Sequence, residues 1–230
     1  EGFLASPVFE GMDPQVLLGD LSATADPDAA LLNLLRLLEA PGGDAATAFG
    51  AQRWHSLLRV LGASQYFADL LVADTTLLDA LGVRPVDEHF SVVYQRVDDL
   101  VRPYTLQEHA LGAAVVALRR HYRRELLGIV VADLDAAAAS PNGARDIMPA
   151  VSRAMAGLVG ATLHGALVLA RHRHPEADPY PFTIIAMGKT GAEELNYISD
   201  VDVIHVCEGD DETAAVAATT SLATTVMRIV

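Results

Sequence analysis

Lysine is almost missing from this chain of 230 residues: fifteen arginines are accompanied by a single lysine, Lys189. Cysteine is nearly absent too. With Cys207 alone, no disulfide can form within the chain, which excludes the disulfide-stapled class of secreted protein and fits a reducing cytoplasm. Basic residues number 16 against 30 acidic ones, a formal net charge of −14. That deficit excludes a protein gripping nucleic acid over a broad face, because nothing would neutralise rows of phosphates. A nucleotide held in one small site stays compatible with it. No signal peptide is visible at the N-terminus, which opens on Glu1, and Val230 falls inside an apolar run without a helix-stop signal. The expectation is an excised piece of a longer protein. Long uninterrupted apolar runs are lacking as well. The nearest, Ala154 to Ala170, is broken by His164, flanked by Arg153 and Arg171 and rich in small residues, so a tightly packed helix of a soluble protein is expected and not a membrane span.

What the chain has is 51% hydrophobic residues with 20% charged, the balance of a folded globular protein, and length enough for one large domain or two smaller ones. Residues 1 to about 175 read as helix after helix. Asp26-Pro27 is an N-cap with proline at the first helical position, opening "DAALLNLLRLLEA" up to Pro41-Gly42-Gly43. "DAATAFGAQRWHSLLRVLG" follows, Ser64 caps "QYFADLLVAD", and "TTLLDALG" closes at Gly82. Thr105-x-x-Glu108 has the capping-box spacing ahead of a long helical segment, which Ser140-Pro141-Asn142-Gly143 breaks; a last long helix is expected from about Asp146 to His172.

The pattern changes after Pro181. "FTIIAM" reads as a short buried strand, "KTGAEELNYIS" as a short helical link, and "DVDVIHV" as a strand with one polar face; the tail from Asp211 reads as helix. The expected fold class is α+β: an all-helical domain over 1–175, then the first β-α-β portion of an α/β domain over 181–230.

In a strand, residues i and i+2 share a face, so Asp200 and Asp202 would project side by side and repel unless a cation neutralises them. Mg²⁺ is the natural choice, since it takes one or two carboxylates together with phosphate oxygens. Gly188, ending a strand and opening a helical turn, supplies backbone N–H groups suited to a phosphate, and Lys189 adds a compact point charge. An Asp-x-Asp pair alone is commonly a solvated turn. The ordered combination of strand, glycine, short helix and Asp-hydrophobic-Asp strand is specific, and points to a nucleotidyltransferase metal site.

Other candidates read as structural. His205 is expected to face away from the acids, His172 and His174 to sit exposed at a helix end, and Cys207 to be a small core residue. The basic run "RRHYRRE" over 119–125 is expected to be a solvated or salt-bridged helix face.

Along "MGKTGAEELNYISDVDVIHV" the sequence resembles the bifunctional glutamine synthetase adenylyltransferase/adenylyl-removing enzymes, whose N-terminal half carries Met-Gly-Lys-x-Gly-Gly-x-Glu-Leu-Asn-x-x-Ser-Asp-hydrophobic-Asp. Met187, Gly188, Lys189, Gly191, Glu194, Leu195, Asn196, Ser199, Asp200 and Asp202 match, while Ala192 replaces the second glycine and Ile198 a small or polar residue. "LLRVLGASQYFADLL" and "RRELLGIVVADL" resemble helical segments of the same family, with Gly128 at a usual arginine.

The resemblance implies a polymerase-β-like nucleotidyltransferase core in the α/β part. It implies removal of AMP from a tyrosine of glutamine synthetase by phosphorolysis, giving ADP, in a parent that also adenylylates with ATP. Asp200 and Asp202 would be Mg²⁺ ligands, Gly188 and Ser199 would shape the phosphate loop, and either Gly188 or Gly191 could be the general nucleotidyltransferase glycine. Lys189 and Gly191 complete the expected phosphate-binding set. Expected partners are glutamine synthetase and a PII-type nitrogen regulator, with neither nucleic acid nor membrane; the expected localisation is cytoplasmic. A third carboxylate is expected beyond Val230, leaving this stretch with an incomplete site. Two alternatives stay open: a non-catalytic helical module that docks glutamine synthetase or its regulator, and a different nucleotidyltransferase.

Overall fold

A computed structural model describes residues 13–82, 86–107 and 110–230. Among the described residues seven α-helices come first: α1 (Pro14–Ser22), α2 (Pro27–Glu39), α3 (Ala51–Ala63), α4 (Gln65–Ala73), α5 (Phe90–Thr105), α6 (Leu111–Ala139) and α7 (Gly143–Arg173). Then follow strand β1 (Phe182–Ala186), the single turn α8 (Gly188–Gly191), strand β2 (Val203–Cys207) and helix α9 (Glu212–Ile229). The α+β class therefore holds in its coarse form, helices followed by a small sheet.

The chain divides into two compact units, residues 1–84 with 127–147, and residues 85–126 with 148–230. In the first, α2 packs against α3 and α4, with Leu34, Leu37, Leu57, Leu58, Leu61 and Leu71 fully buried. The helix starts follow the sequence signals: Asp26 accepts from Ala29 N at 2.9 Å, and Ser64 Oγ accepts from Phe67 N at 3.5 Å. The stretch after Gly43 is not one helix. It is a 3₁₀ segment, Gly43–Ala48, separated from α3 by Phe49-Gly50. Buried Asn33 is satisfied by the Leu61 carbonyl at 3.0 Å, and Asp135 gathers Ser56 Oγ and Arg59, each at 2.7 Å.

In the second unit α7 presents glycines to α5. A Cβ on Gly157 would meet Phe90 at 2.7 Å, one on Gly160 the Tyr94 hydroxyl at 2.4 Å, and one on Gly165 Val97 at 2.5 Å. These side chains therefore lie directly on the α7 backbone. Burial pushes the Tyr94 phenol above its ordinary pKa. His164 Nε2 meets Asp98 at 2.8 Å, and Arg96 joins Glu88 to Glu125. Helix α7 is long and apolar enough to cross a membrane, but 67% of its most apolar window is buried inside the protein, as in a core helix.

Four expectations need correction. Thr105 is the last residue of α5 and bonds back to Arg102 O at 2.9 Å, so it ends a helix; its capping-box partner Glu108 lies outside the described residues. The strands do not form a parallel β-α-β unit: β1 and β2 pair antiparallel, Phe182 opposite Cys207 and Ala186 opposite Val203. One helical turn cannot carry the chain back across a sheet as a crossover helix does, so the chain folds back beside β1. Neither strand is fully buried: Phe182, Ile184, Val203, His205 and Cys207 are half-buried, while Ile185, Ile204 and Val206 are exposed on the other face. Finally, β2 begins after the acids, and the alternation places Asp202 on the side of the exposed aliphatics, so that face is not polar.

The glycine packing gives a test. Replacing Gly165 by Val forces a branched side chain against fully buried, χ1-stiff Val97, and is expected to lower stability by about 1–3 kcal/mol in urea unfolding. Gly112→Ala, where nothing lies within 4 Å, is expected to leave the midpoint unchanged or slightly raised.

Candidate functional site

The candidate residues lie on the connection between β1 and β2. Its frame is one hydrogen bond past the end of the ladder, Met187 N donating to Asp202 O at 2.9 Å. That bond places Gly188 beside Asp202: Gly188 adopts a positive φ of +54°, and a Cβ there would lie 3.6 Å from Asp202 Oδ2. Gly191 is small for another reason. Its N–H returns to Met187 O at 3.0 Å, closing the α8 turn, and a Cβ would stand 2.4 Å from Ala186 O. The two glycines thus divide the work, Gly188 giving the left-handed corner next to the acid and Gly191 the close approach of turn to strand.

After α8 the chain passes through Glu193, at φ +59° the one positive-φ residue other than glycine among those described. A side chain in that region costs roughly 1 kcal/mol. Glu194 N donates to Lys189 O at 2.8 Å, and buried Leu195 pins the next residue. Asn196 then organises the loop: its Oδ1 accepts from Ile198 N at 3.2 Å and from Ser199 Oγ at 2.8 Å. Lys189 Nζ donates to Ser199 Oγ at 3.3 Å, so the lone ammonium is tied to the segment directly preceding Asp200. An ammonium has three donors, and this bond uses one. Asp200 and Asp202 are solvent-exposed on irregular backbone ahead of β2.

Gly188, Lys189, Gly191, Ser199 and Asp202 are therefore joined by one network of short bonds and close approaches, and Asp200 follows Ser199 in the chain. Among the described residues no group of three His, Cys, Asp or Glu side chains could hold a metal ion, so the pair stands as two carboxylates without a third ligand. Two hard oxygen donors suit Mg²⁺ where phosphate oxygens and water supply the rest.

Asn196 and Glu193 carry more of this loop than sequence reasoning assigned them. The Asn-x-x-Ser spacing is itself an Asx-turn signal; the left-handed corner at Glu193 has none. Arg153, read only as a flank of an apolar run, donates from Nε to Glu193 Oε2 at 3.3 Å. With side chains 54% and 46% exposed, the ion pair contributes about 0–1 kcal/mol, comparable to the strain at Glu193.

The remaining candidates are structural. His205 is half-buried and stacks on Phe182 with ring centroids 5.6 Å apart, and half-buried Cys207 shares its face. His172 is exposed as expected, but His174 is half-buried: it lies 2.8 Å from Glu176 and 2.7 Å from Thr225 Oγ1, fastening the end of α7 to α9. The hydrogen bond from His174 holds the Glu176 carboxyl below its usual range. Within the basic run, Arg119 donates to the carbonyls of Arg228 and Ile229, each at 3.0 Å, as a cap on α9.

Comparison with known proteins adds the family. Residues 54–230 match the family model described as glutamate-ammonia ligase adenylyltransferase. The chain belongs to that family. Among curated proteins, a bifunctional glutamine synthetase adenylyltransferase/adenylyl-removing enzyme of Streptomyces avermitilis is 41% identical over 228 residues, covering 94% of this chain and 21% of the relative. Proteins of the same name from Bifidobacterium longum subsp. infantis and Mycobacterium avium are 35% and 38% identical, covering 85% and 93% of the chain. The chain spans about a fifth of the length of these relatives. No solved structure matches it.

Gly191→Ala tests the frame. The added methyl meets a backbone carbonyl, which cannot rotate aside, so about 1–3 kcal/mol of local stability is expected to be lost, seen as faster amide exchange in α8 and at Met187 than in α7.

Proposed function

We propose that the chain is part of a nucleotidyltransferase that regulates glutamine synthetase, and that its hairpin belongs to the site removing AMP from the adenylylated enzyme. The observation that carries this reading is the bond from Met187 to Asp202, which sets Gly188 against an Asp-x-Asp carboxylate while Lys189 reaches Ser199 just before the pair. The relatives' names support the substrate, and the resemblance of Glu194, Leu195 and Asn196 to the signature of the family's N-terminal half supports the removing activity. Residues 1–175 then act as the helical domain, and 181–230 open a polymerase-β-like core.

In the proposed reaction an oxygen of inorganic phosphate attacks the AMP phosphorus. The bond from phosphorus to the tyrosine oxygen breaks, the tyrosine oxygen leaves with the electron pair and takes a proton, and ADP is released. All participants are anionic, so positioning and charge neutralisation carry the catalysis, and no side-chain nucleophile is required. Lys189 and the backbone N–H groups near Gly188 would bind and orient the attacking phosphate, with Ser199 and Asn196 holding the ammonium in place. Asp200 and Asp202 would hold Mg²⁺. That ion would neutralise phosphoryl oxygens that the strongly acidic chain cannot. A third carboxylate would come from outside residues 1–230, so this stretch alone would turn over little. The protein would act in the cytoplasm, with glutamine synthetase and a PII-type regulator as partners and ATP used by the parent's adenylylating activity. The net charge of −14 supports a protein partner over nucleic acid.

The test uses the full-length protein with adenylylated glutamine synthetase, Mg²⁺ and phosphate, reading ADP. Asp200→Asn and Asp202→Asn are each expected to lower the rate about a hundredfold or more. Lys189→Met is expected to raise the KM for phosphate about tenfold, the value of one charge-assisted contact. ADP formation that survives both aspartate changes would remove the site from the reaction. Binding of glutamine synthetase without any ADP would assign the chain to docking.

A further inference from the structure

We propose that Arg153 is a positioning residue for the phosphate-facing loop, a latch that holds the strained corner at Glu193 and through it the placement of Lys189; the inference rests on the reading of Lys189 given above. Arg153 belongs to α7, a helix of 31 residues, whereas Glu193 lies on exposed loop backbone. Thr190 and Leu195 are buried and anchor the loop on either side, while residues 191–194 are exposed. In that exposed stretch the bond from Arg153 Nε to Glu193 Oε2 ties the chain to a long helix at its left-handed residue.

The coupling to Lys189 is local and geometric. Rotation of Glu193 φ toward an ordinary negative value re-aims every atom after it, beginning with the Glu194 N–H that donates to Lys189 O at 2.8 Å. Losing that bond frees the end of α8, and the same rotation displaces Asn196, whose Oδ1 orients the Ser199 hydroxyl that receives Lys189 Nζ. Strain at Glu193 and the exposed ion pair are of similar size, so the loop sits near balance and a single side chain far from the Asp pair in sequence can shift it. Arg153 thereby acts through Glu193 and touches no reactant.

The experiment is amide exchange and steady-state kinetics on the full-length protein carrying Arg153→Gln, Arg153→Glu, or the swap Arg153→Glu with Glu193→Arg. Arg153→Gln is expected to speed exchange at residues 193–199 about two- to fivefold with α7 and β2 unchanged, the range open to an exposed ion pair. It is also expected to raise the KM for phosphate by a similar factor, with kcat within about twofold. The swap is expected to return both readings toward the unmodified protein, whereas Arg153→Glu alone is not. Unchanged exchange at 193–199 in Arg153→Gln would overturn the latch. Faster exchange with an unaltered phosphate KM would overturn the coupling to Lys189 where Lys189→Met raises that KM, and would remove Lys189 from phosphate binding where it does not, so the two readings fail separately.

Discussion

The candidate site depends on one backbone hydrogen bond, Met187 N to Asp202 O. It is the first bond beyond the β1–β2 ladder and it closes the base of a loop fifteen residues apart in sequence at its ends. Backbone pairing has a fixed geometry, so this bond defines where Gly188 stands relative to the Asp202 carboxylate, and side-chain packing has only to preserve it. Everything between the two residues is a closed loop stitched by short-range bonds. Buried Thr190 and Leu195 anchor it, and the Asn196–Ser199–Lys189 chain of hydrogen bonds ties its two halves together.

Within that loop the solitary lysine has a definite place. On the proposed reading, a chain with 30 acidic residues would need local positive charge at its phosphate site. A flexible four-carbon stem carrying a compact ammonium can reach Ser199 and still offer donors to a phosphate, whereas a guanidinium presents a rigid planar fork. Arginine is used where forks fit: Arg96 spans two carboxylates and Arg119 takes two helix-end carbonyls. The division between the two cation types therefore follows their geometry.

The helical part is organised by size. Glycines along α7 let Phe90, Tyr94 and Val97 of α5 rest on its backbone, and polar pairs such as His164 with Asp98 mark the edges of that contact. The hairpin is held differently. A two-stranded sheet is marginal by itself, and here its half-buried face carries Phe182, His205 and Cys207 while Ile185, Ile204 and Val206 lie open on the side of Asp202. His174, bonded to both Glu176 and Thr225, fixes α9 against the end of α7.

The helix starts at Asp26 and Ser64, the break at Ser140–Gly143 and the change to strand near Phe182 were legible from the chain alone, because caps, prolines and short-range periodicity act over a few residues. The partial exposure of β1 and the antiparallel pairing of β1 with β2 were not, since strand direction and the covering of a face depend on what packs from far away in sequence. The separate tasks of Gly188 and Gly191 were equally invisible in their spacing. One answers to a carboxylate fourteen residues on, the other to a carbonyl five residues back. Arg153 and Glu193 show the limit most plainly. By sequence they are forty residues apart and carry no signal, an arginine flanking an apolar run and a glutamate in a loop. Only the tertiary structure brings them within hydrogen-bond range, because an ion pair and a left-handed φ are properties of where the chain returns in space, which local sequence does not encode.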